Sequence, residues 1–306
     1  CSSDLHKLGL RGKQLRYTQE QFYGVVHNSV DVIAKIIERD ENLNSPNNKR
    51  AAKLRAKTVM FDEMTPSIIM AGFPMLDWID IAMSPVCLPG EVDQNANIMY
   101  VDAAERMGLA ADVCPLPSAE VGCAIVDDYP QVGSSFITSS MPCDGSLGAA
   151  LFMDRYMKKL QSFTLPPPQR FNEPETNAYA VKDLKNCIRF IEETYNVKWD
   201  WDAFWKKAEE YNKTTQCMLD KWDVNCTPYP QVIGSALSLQ REYEFQTAAC
   251  LDPFMTKQDE KVTKMMLKGY EKDREADRRD YKYRAIVWCC PAHYYTHFTT
   301  WARSEE

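Results

Sequence analysis

The 306-residue chain has no apolar run that approaches the roughly 18 residues of a transmembrane helix, so no membrane span is expected. Its first residues contain no apolar core of the signal-peptide kind, and we expect a cytoplasmic protein. A basic excess is also missing, since 36 Lys and Arg stand against 43 Asp and Glu. The net charge of −7 argues against duplex nucleic acid as a partner.

Glycine is scarce, at 12 residues, and several glycine-based motifs are missing. The chain has no Walker A loop, no Gly-x-Gly-x-x-Gly turn and no Gly-x-Ser-x-Gly elbow, which argues against a phosphate-cradling loop and against a hydrolase nucleophile. The hydrophobic fraction of 45% and the charged fraction of 26% are typical of a globular protein.

Cysteine, in contrast, is abundant, with 11 residues. The odd number excludes complete pairing within one chain, and no Cys-x-x-Cys pair is present. In a protein of this size without an export signal, thiols are expected to bind metals or to pack as small apolar groups.

The N-terminal segment, residues 1–57, is predicted to be helical. Residues 18–21 (Thr-Gln-Glu-Gln) form a capping-box pattern that predicts the start of a helix. An apolar stripe with helical spacing follows and predicts the buried face of that helix. It consists of Phe22, Val25, Val26, Ser29, Val30, Ile33, Ile36 and Ile37.

Residues 58–165 alternate short apolar runs with Pro and Gly breakers. The pattern predicts strands at 58–61, 73–81 and 134–139, and helices at 66–72, 97–107, 119–126 and 147–159. Strands that alternate with helices indicate an α/β domain with a parallel, Rossmann- or flavodoxin-like sheet.

The remaining chain is predicted to be a helical region, residues 166–280, followed by a new strand at 285–288. That strand would open a second α/β domain within residues 281–306. Only 18 residues follow Trp288, so we expect this second half to be begun and incomplete.

Two cysteines lie in turns rich in breaking residues. Cys114 precedes Pro-Leu-Pro, and Cys143 follows directly after the strand predicted at 134–139. In open α/β sheets ligands gather at the carboxyl ends of strands, and a thiolate before a helix N-terminus suits soft metals and iron–sulfur clusters. The spacing alone leaves two interpretations open, a metal or redox role and simple burial near turns.

Other candidate ligands lie near the C-terminal end. Cys289 and Cys290 are adjacent, so on an extended segment their side chains point to opposite faces, and one would line a site while the other packs in a core. His293 and His297 would share a helix face as a zinc pair, but no Glu follows His293 and the His-Glu-x-x-His motif is absent.

From Val59 to Trp301, the order of motifs resembles the 2-hydroxyacyl-CoA dehydratase and benzoyl-CoA reductase family of iron–sulfur enzymes. The resemblance rests on five stretches: residues 64–73 (Met-Thr-Pro-Ser-Ile-Ile-Met-Ala-Gly-Phe), 99–108 with Asp-Val-Cys at 112–114, 141–145 (Met-Pro-Cys-Asp-Gly), 196–204 and 283–291.

The resemblance implies that Cys114 and Cys143 are thiolate ligands of a [4Fe–4S] cluster. The family takes its third cysteine from a later segment of the second α/β half, so the third ligand is either missing from this sequence or replaced by Cys289 or Cys290. It implies a subunit of an oxygen-sensitive (R)-2-hydroxyacyl-CoA dehydratase of the 2-hydroxyglutaryl-CoA type. In that reaction an ATP-dependent activator with its own cluster supplies one electron, and the acyl-CoA thioester becomes a ketyl radical. A related second subunit is the expected partner.

Three alternatives stay open from the sequence. The chain could belong to a benzoyl-CoA reductase that reduces an aromatic ring, it could be a non-catalytic subunit of the same fold, or it could be an unrelated zinc or thiol protein. The general base is not identified, and Glu120, Asp144 and His293 are candidates by their chemistry alone.

Overall fold

A computed structural model of the chain describes residues 12–61, 67–80, 97–139, 144–156, 160–165, 173–232, 237 and 252–280. Contacts divide the chain into two compact units. We call residues 32–205 the sheet unit, and residues 1–31 together with 206–306 the helical unit. The domain boundaries drawn from the sequence remain predictions.

The described residues contain eight α-helices, two of which contribute to both units. They are α1 (Gly12–Arg39), α2 (Lys49–Arg55), α3 (Ile98–Arg106), α4 (Pro115–Ile125), α5 (Asp144–Met153), α6 (Pro174–Tyr195), α7 (Trp201–Asn225) and α8 (Pro253–Glu275). A 3-10 helix, Ser67–Gly72, lies between the first two strands of the sheet.

The sheet unit is built on an all-parallel sheet. Its strands are β1 (Thr58–Phe61), β2 (Asp77–Asp80), β3 (Ser135–Ser139) and β4 (Gln161–Leu165), in the spatial order β2-β1-β3-β4. Phe61 pairs with Asp80 on one side and with Ile137 on the other. The α/β fold with a parallel, flavodoxin-like sheet is therefore confirmed.

Strands β1 and β3 are buried along their whole length, which explains why their sequences do not alternate between apolar and polar residues. Met60 and Phe136 lie in a core cluster that also contains Ile79, Val121 and Tyr129. Helices α3 and α4 pack against each other closely, because Gly122 of α4 lies against the backbone of Tyr100. A Cβ atom at residue 122 would overlap the Tyr100 carbonyl oxygen.

Hydrogen bonds to Thr58 stabilise the amino end of the sheet. Its carbonyl oxygen accepts from the Ser134 backbone N–H at 3.1 Å and from the Tyr195 hydroxyl at 2.6 Å. Its hydroxyl accepts from Arg39 Nε at 3.3 Å and donates to the Leu54 carbonyl at 2.9 Å. Burial raises the pKa of Tyr195, which keeps the phenol protonated as a donor.

The helical unit combines the first part of α1, most of α7, and α8. Its apolar cluster contains Val224, Val262 and Met266, with Tyr17 packed against it. Beside these lies an ion pair between Lys221 of α7 and Asp259 of α8, with both side chains buried. Two charges removed from water in this way depend on each other for compensation.

Helix α1 buries many polar residues. Thr18 Oγ1 and both side-chain polar atoms of Gln21 are buried and make no hydrogen bond in the described part of the chain. On the same helix, the Glu20 carbonyl oxygen accepts from Gln258 Nε2 of α8 at 2.7 Å. The backbone of α1 is therefore bonded directly to a side chain of α8.

Several local predictions differ from the structure. The capping box at 18–21 does not begin a helix, since α1 starts at Gly12 and Thr18 lies inside it. Leu15 is buried and Tyr17 packs against the apolar cluster, so packing extends the helix toward the N-terminus. The predicted apolar stripe is also wrong as a buried face, because Val26, Val30, Ile33 and Ile37 are exposed while Ile36 is buried.

The sheet differs from the prediction in two places. Strand β2 is shorter than the predicted span of residues 73–81, since residues 73–76 form a turn in which the Leu76 N–H donates to the Phe73 carbonyl at 3.0 Å. Strand β4 was missed, because its five residues are exposed at the first position and buried only at the last. The strand predicted at 285–288 lies outside the described residues.

Candidate functional site

The sheet order places a topological switch point between β1 and β3. The chain leaves β1 toward β2 on one side, whereas it leaves β3 through α5 toward β4 on the other. In open α/β sheets of this kind the crevice at the carboxyl ends of the two diverging strands is the usual place for a ligand. Here those strands end at Phe61 and Ser139.

Cys114 is the residue that precedes α4, and its side chain is exposed. Its carbonyl oxygen accepts from the Ser118 backbone N–H at 3.2 Å and from the Ser118 hydroxyl at 2.9 Å. Pro115 occupies the first helical position, where a missing N–H has no structural cost. These contacts hold the start of the helix while the thiol stays accessible to solvent.

The direction of α4 indicates which edge of the sheet Cys114 faces. After α4 the chain reaches the amino ends of the strands, where the Ser134 N–H donates to Thr58 and the Gln131 carbonyl accepts from the Glu41 N–H, both at 3.1 Å. An eleven-residue helix is about 16 Å long, comparable with a five-residue strand. We therefore expect Cys114, at the far end of α4, to lie toward the carboxyl edge.

Cys143, the second predicted ligand, lies outside the described residues. The described residues on either side are the last residue of β3, Ser139, and the first residue of α5, Asp144. Cys289, Cys290 and His293 also lie outside the described residues. Their roles therefore stay predictions.

Glu120, a candidate base, lies in α4 with an exposed fraction of 2%. It belongs to the run from Pro117 to Ala124 that is buried along this helix, whereas Cys114 at its start is exposed. The structure thus places these two residues in the same helix but in different surroundings. Asp144 begins α5, a helix that packs against α4.

The other described cysteines divide by burial. Burial raises the pKa of the Cys187 thiol to about 12, and burial together with the negative charge of Asp128 does the same for Cys123. Burial also raises the pKa of Cys217. These thiols stay protonated at neutral pH and are poor metal ligands, because the ligand is the thiolate. Cys114 and Cys226 are the exposed cysteines within the described ranges.

Two further features of the described residues bear on a site. No group of three His, Cys, Asp or Glu side chains comes together within these ranges to hold a metal. A cavity of about 420 Å³ is lined by Met107, Phe152, Arg155 and Tyr156, none of which the sequence had indicated. Phe152 and Tyr156 form an aromatic pair with ring centroids 5.7 Å apart.

No helix among the described residues is both long enough and apolar enough to cross a membrane. The fold and the exposed cysteine before α4 define an α/β protein with a parallel sheet and an accessible thiol at the start of one of its helices. The sequence profile of the 2-hydroxyglutaryl-CoA dehydratase D-component family matches residues 91–305. The chain belongs to this family, which confirms the resemblance, and it is a dehydratase-type subunit. No curated protein matches the chain.

Proposed function

We propose that the chain is the [4Fe–4S] cluster-bearing subunit of an enzyme that acts on CoA thioesters, a (R)-2-hydroxyacyl-CoA dehydratase. The observation that carries this proposal is the exposed Cys114 thiol at the start of α4, within the part of the chain that matches the D-component family. The buried thiols Cys123 and Cys187 do not suit a cluster, whereas the accessible Cys114 does.

Cys114 and Cys143 would hold the cluster as thiolates, with Cys289 or Cys290 as the third protein ligand. When bound, the cluster would supply one-electron chemistry and an iron atom that can act as a Lewis acid toward the thioester. Such a site requires a dry lining. Phe61 and Ile137, near the carboxyl ends of β1 and β3, are fully buried, so the core beneath that edge of the sheet is apolar.

The polar groups of the chain would handle the proton that leaves the substrate during dehydration. Glu120 is buried in α4, Asp144 begins α5 directly after Cys143, and His293 is the third candidate. A carboxyl group or an imidazole within hydrogen-bond reach of the substrate can accept and return a proton. A Glu120→Gln variant keeps the size of the side chain and removes this capacity.

The proposed partners follow from membership in a family named for one component of an enzyme. They are a related second subunit, an ATP-dependent activator protein with its own cluster, and an acyl-CoA substrate. A benzoyl-CoA reductase would share this organisation, but the two enzymes can be distinguished by their products. A dehydratase releases water and forms an enoyl-CoA, whereas a reductase adds electrons and protons to an aromatic ring.

The test is the iron and acid-labile sulfide content of protein purified without oxygen, together with its visible spectrum. We expect about four of each per chain and a broad absorption that bleaches in air. Cys114→Ser should lower the iron content, while Cys226→Ser is the matched control because Cys226 is also an exposed cysteine. Equal iron in the two variants would contradict the role of Cys114, and protein without iron and sulfide would contradict the whole proposal.

A further inference from the structure

The cavity of the sheet unit, about 420 Å³ in volume, is lined by Met107, Phe152, Arg155 and Tyr156. Small-molecule sites in proteins have volumes of roughly 300–1,000 Å³ and combine apolar walls with a few polar groups that orient the ligand. The described lining residues have this composition, since two aromatic rings and a thioether stand beside one guanidinium group. The cavity is therefore large enough for a ligand that has both an aromatic part and a negative charge.

Three of the lining residues lie on one turn of helix. Phe152 is near the end of α5, and the helical turn continues beyond it, because the Arg155 N–H donates to the Phe152 carbonyl at 3.2 Å. Residues that are three and four positions apart share a helix face. Phe152, Arg155 and Tyr156 have this spacing, so one turn brings two aromatic rings and the cation to the same side.

The aromatic wall of the cavity is held by its surroundings. The ring centroids of Phe152 and Tyr156 are 5.7 Å apart with their planes inclined by 31°, and both rings pack against the core cluster of the sheet unit. Asp154 accepts a hydrogen bond from the Ser162 hydroxyl of β4, which ties this turn to the sheet. A planar ligand that packs on such preorganised rings orders few protein groups when it binds.

Arg155 supplies the positive charge of the cavity. Its side chain is exposed, and within the described ranges no carboxylate forms an ion pair with its guanidinium group. A guanidinium group binds phosphate oxygens through two parallel hydrogen bonds, and nucleic-acid bases stack on aromatic side chains. The chain has no glycine-rich phosphate loop, so a phosphate would have to be bound by a side chain of this kind. Met107 adds a flexible, polarizable surface that adapts to the shape of a ligand.

We propose that this cavity binds a nucleotide, with the base against Phe152 and Tyr156 and a phosphate on Arg155. A nucleotide satisfies both parts of the lining, whereas inorganic phosphate or an uncharged ring satisfies only one. Two sources share this chemistry, namely the nucleotide end of a CoA thioester and a free nucleotide such as ADP. Binding does not require the cluster, so the iron content of the protein and its affinity for nucleotides test the two proposals separately.

The experiment measures the dissociation constants of CoA, ADP and adenosine by isothermal titration calorimetry on the full chain. Arg155→Gln should raise the constant for CoA and ADP by about tenfold or more, because a charge-assisted contact to phosphate is lost. Adenosine has no phosphate, so it should bind more weakly and change by less than about twofold. Arg50→Gln is the matched control, since Arg50 is an exposed arginine outside the lining that donates to Glu38 at 2.9 Å, and it should leave all constants unchanged.

A second variant tests the aromatic wall. Tyr156→Leu should weaken the binding of CoA, ADP and adenosine alike by about fivefold, because the stacking surface is reduced while the phosphate contact remains. The circular dichroism spectrum should stay that of the wild type in both variants. Tighter binding of CoA than of ADP would assign the cavity to the substrate, and equal or tighter binding of ADP would assign it to a free nucleotide.

Three results would overturn the nucleotide site. They are the absence of binding by both CoA and ADP up to millimolar concentration, affinities that Arg155→Gln leaves unchanged, and a loss in Arg155→Gln that is as large for adenosine as for ADP. The last result would show that the substitution disturbs the cavity rather than a contact to phosphate. An equal loss in Arg50→Gln would likewise contradict the role of Arg155.

Discussion

The two compact units differ in their largest buried side chains, since the helical unit encloses a fully buried ion pair whereas those of the sheet unit are uncharged. In the sheet unit the largest fully buried side chains include Phe61, Phe136 and Ile137, and backbone hydrogen bonds are satisfied by the strand ladders. In the helical unit the buried set includes Lys221 and Asp259. Apolar packing tolerates small changes in volume but not overlap, whereas a buried ion pair tolerates neither the loss of a partner nor the loss of its geometry. The units should therefore respond to different substitutions.

The largest loss of stability is expected at Gly122 of the sheet unit, where there is no space for a side chain. Gly122→Ala places a methyl group on the Tyr100 carbonyl, so α3 and α4 must separate. We expect the free energy of unfolding in urea to fall by more than about 4 kcal/mol. Gly148→Ala in α5 is the control, because a Cβ there meets no atom within 4 Å. It should change stability by less than about 1 kcal/mol, in the stabilising direction.

The next effect tests the buried ion pair of the helical unit. Lys221→Met removes the buried ammonium group that pairs with the Asp259 carboxylate and should cost about 3–5 kcal/mol in chemical denaturation. Lys261→Met is the control, because the Lys261–Glu20 pair lies at the surface and should contribute less than about 1 kcal/mol. The double variant Lys221→Met/Asp259→Leu should recover most of the loss. Equal costs for Lys221→Met and Lys261→Met would refute the contrast between the units.

A smaller effect, confined to alkaline pH, concerns the thiols of the sheet unit. The folded-state pKa of Cys123 is about 12, above its ordinary value of 9.0, because burial and Asp128 disfavour the thiolate. The unfolded chain releases this proton first, so the stabilising contribution is complete below pH 9 and is lost between pH 9 and 12. Stability measured across this range should fall less steeply in Cys123→Ser than in wild type, and Cys226→Ser should follow wild type.

The smallest expected changes in stability concern two buried threonines of the helical unit, Thr18 and Thr214. Thr18→Val removes a buried hydroxyl that makes no hydrogen bond in the described part of the chain, and should stabilise by about 1 kcal/mol. Thr214→Val has the opposite sign, because the Thr214 hydroxyl donates to the Glu210 carbonyl at 3.3 Å. It should destabilise by a similar amount in thermal unfolding. The same sign for both changes would show that burial alone governs these positions.

Local sequence predicted the parts of the fold that depend on local signals. Residues 58–61 and 134–139 are apolar runs bounded by breakers, and both are strands within one residue of the predicted ends. The sequence of β4 contains no such apolar run, because this strand is formed by its pairing with β3 rather than by local residue preferences. The start of α1 was missed for a related reason, since distant packing of Tyr17 outweighs the capping box.

The candidate site was predictable only in part. The turn chemistry around Cys114 indicated a position before a helix, and the structure places it there. Sequence could not distinguish this accessible thiol from Cys123, nine residues later, because burial depends on how α4 packs against its neighbours. Likewise, the apolar stripe of α1 was visible, but the side of the helix that the fold buries was not.

Thr58 also has a consequence for the order of folding. The segments that meet at this residue are separated by very different lengths of chain, since Arg39 is 19 residues away and Tyr195 is 137. The entropy lost on closing a loop grows with its length, and chains dominated by distant contacts fold slowly. The bond from Arg39 should therefore form early and the bond from Tyr195 late. Tyr195→Phe should accelerate unfolding while it leaves the refolding rate nearly unchanged.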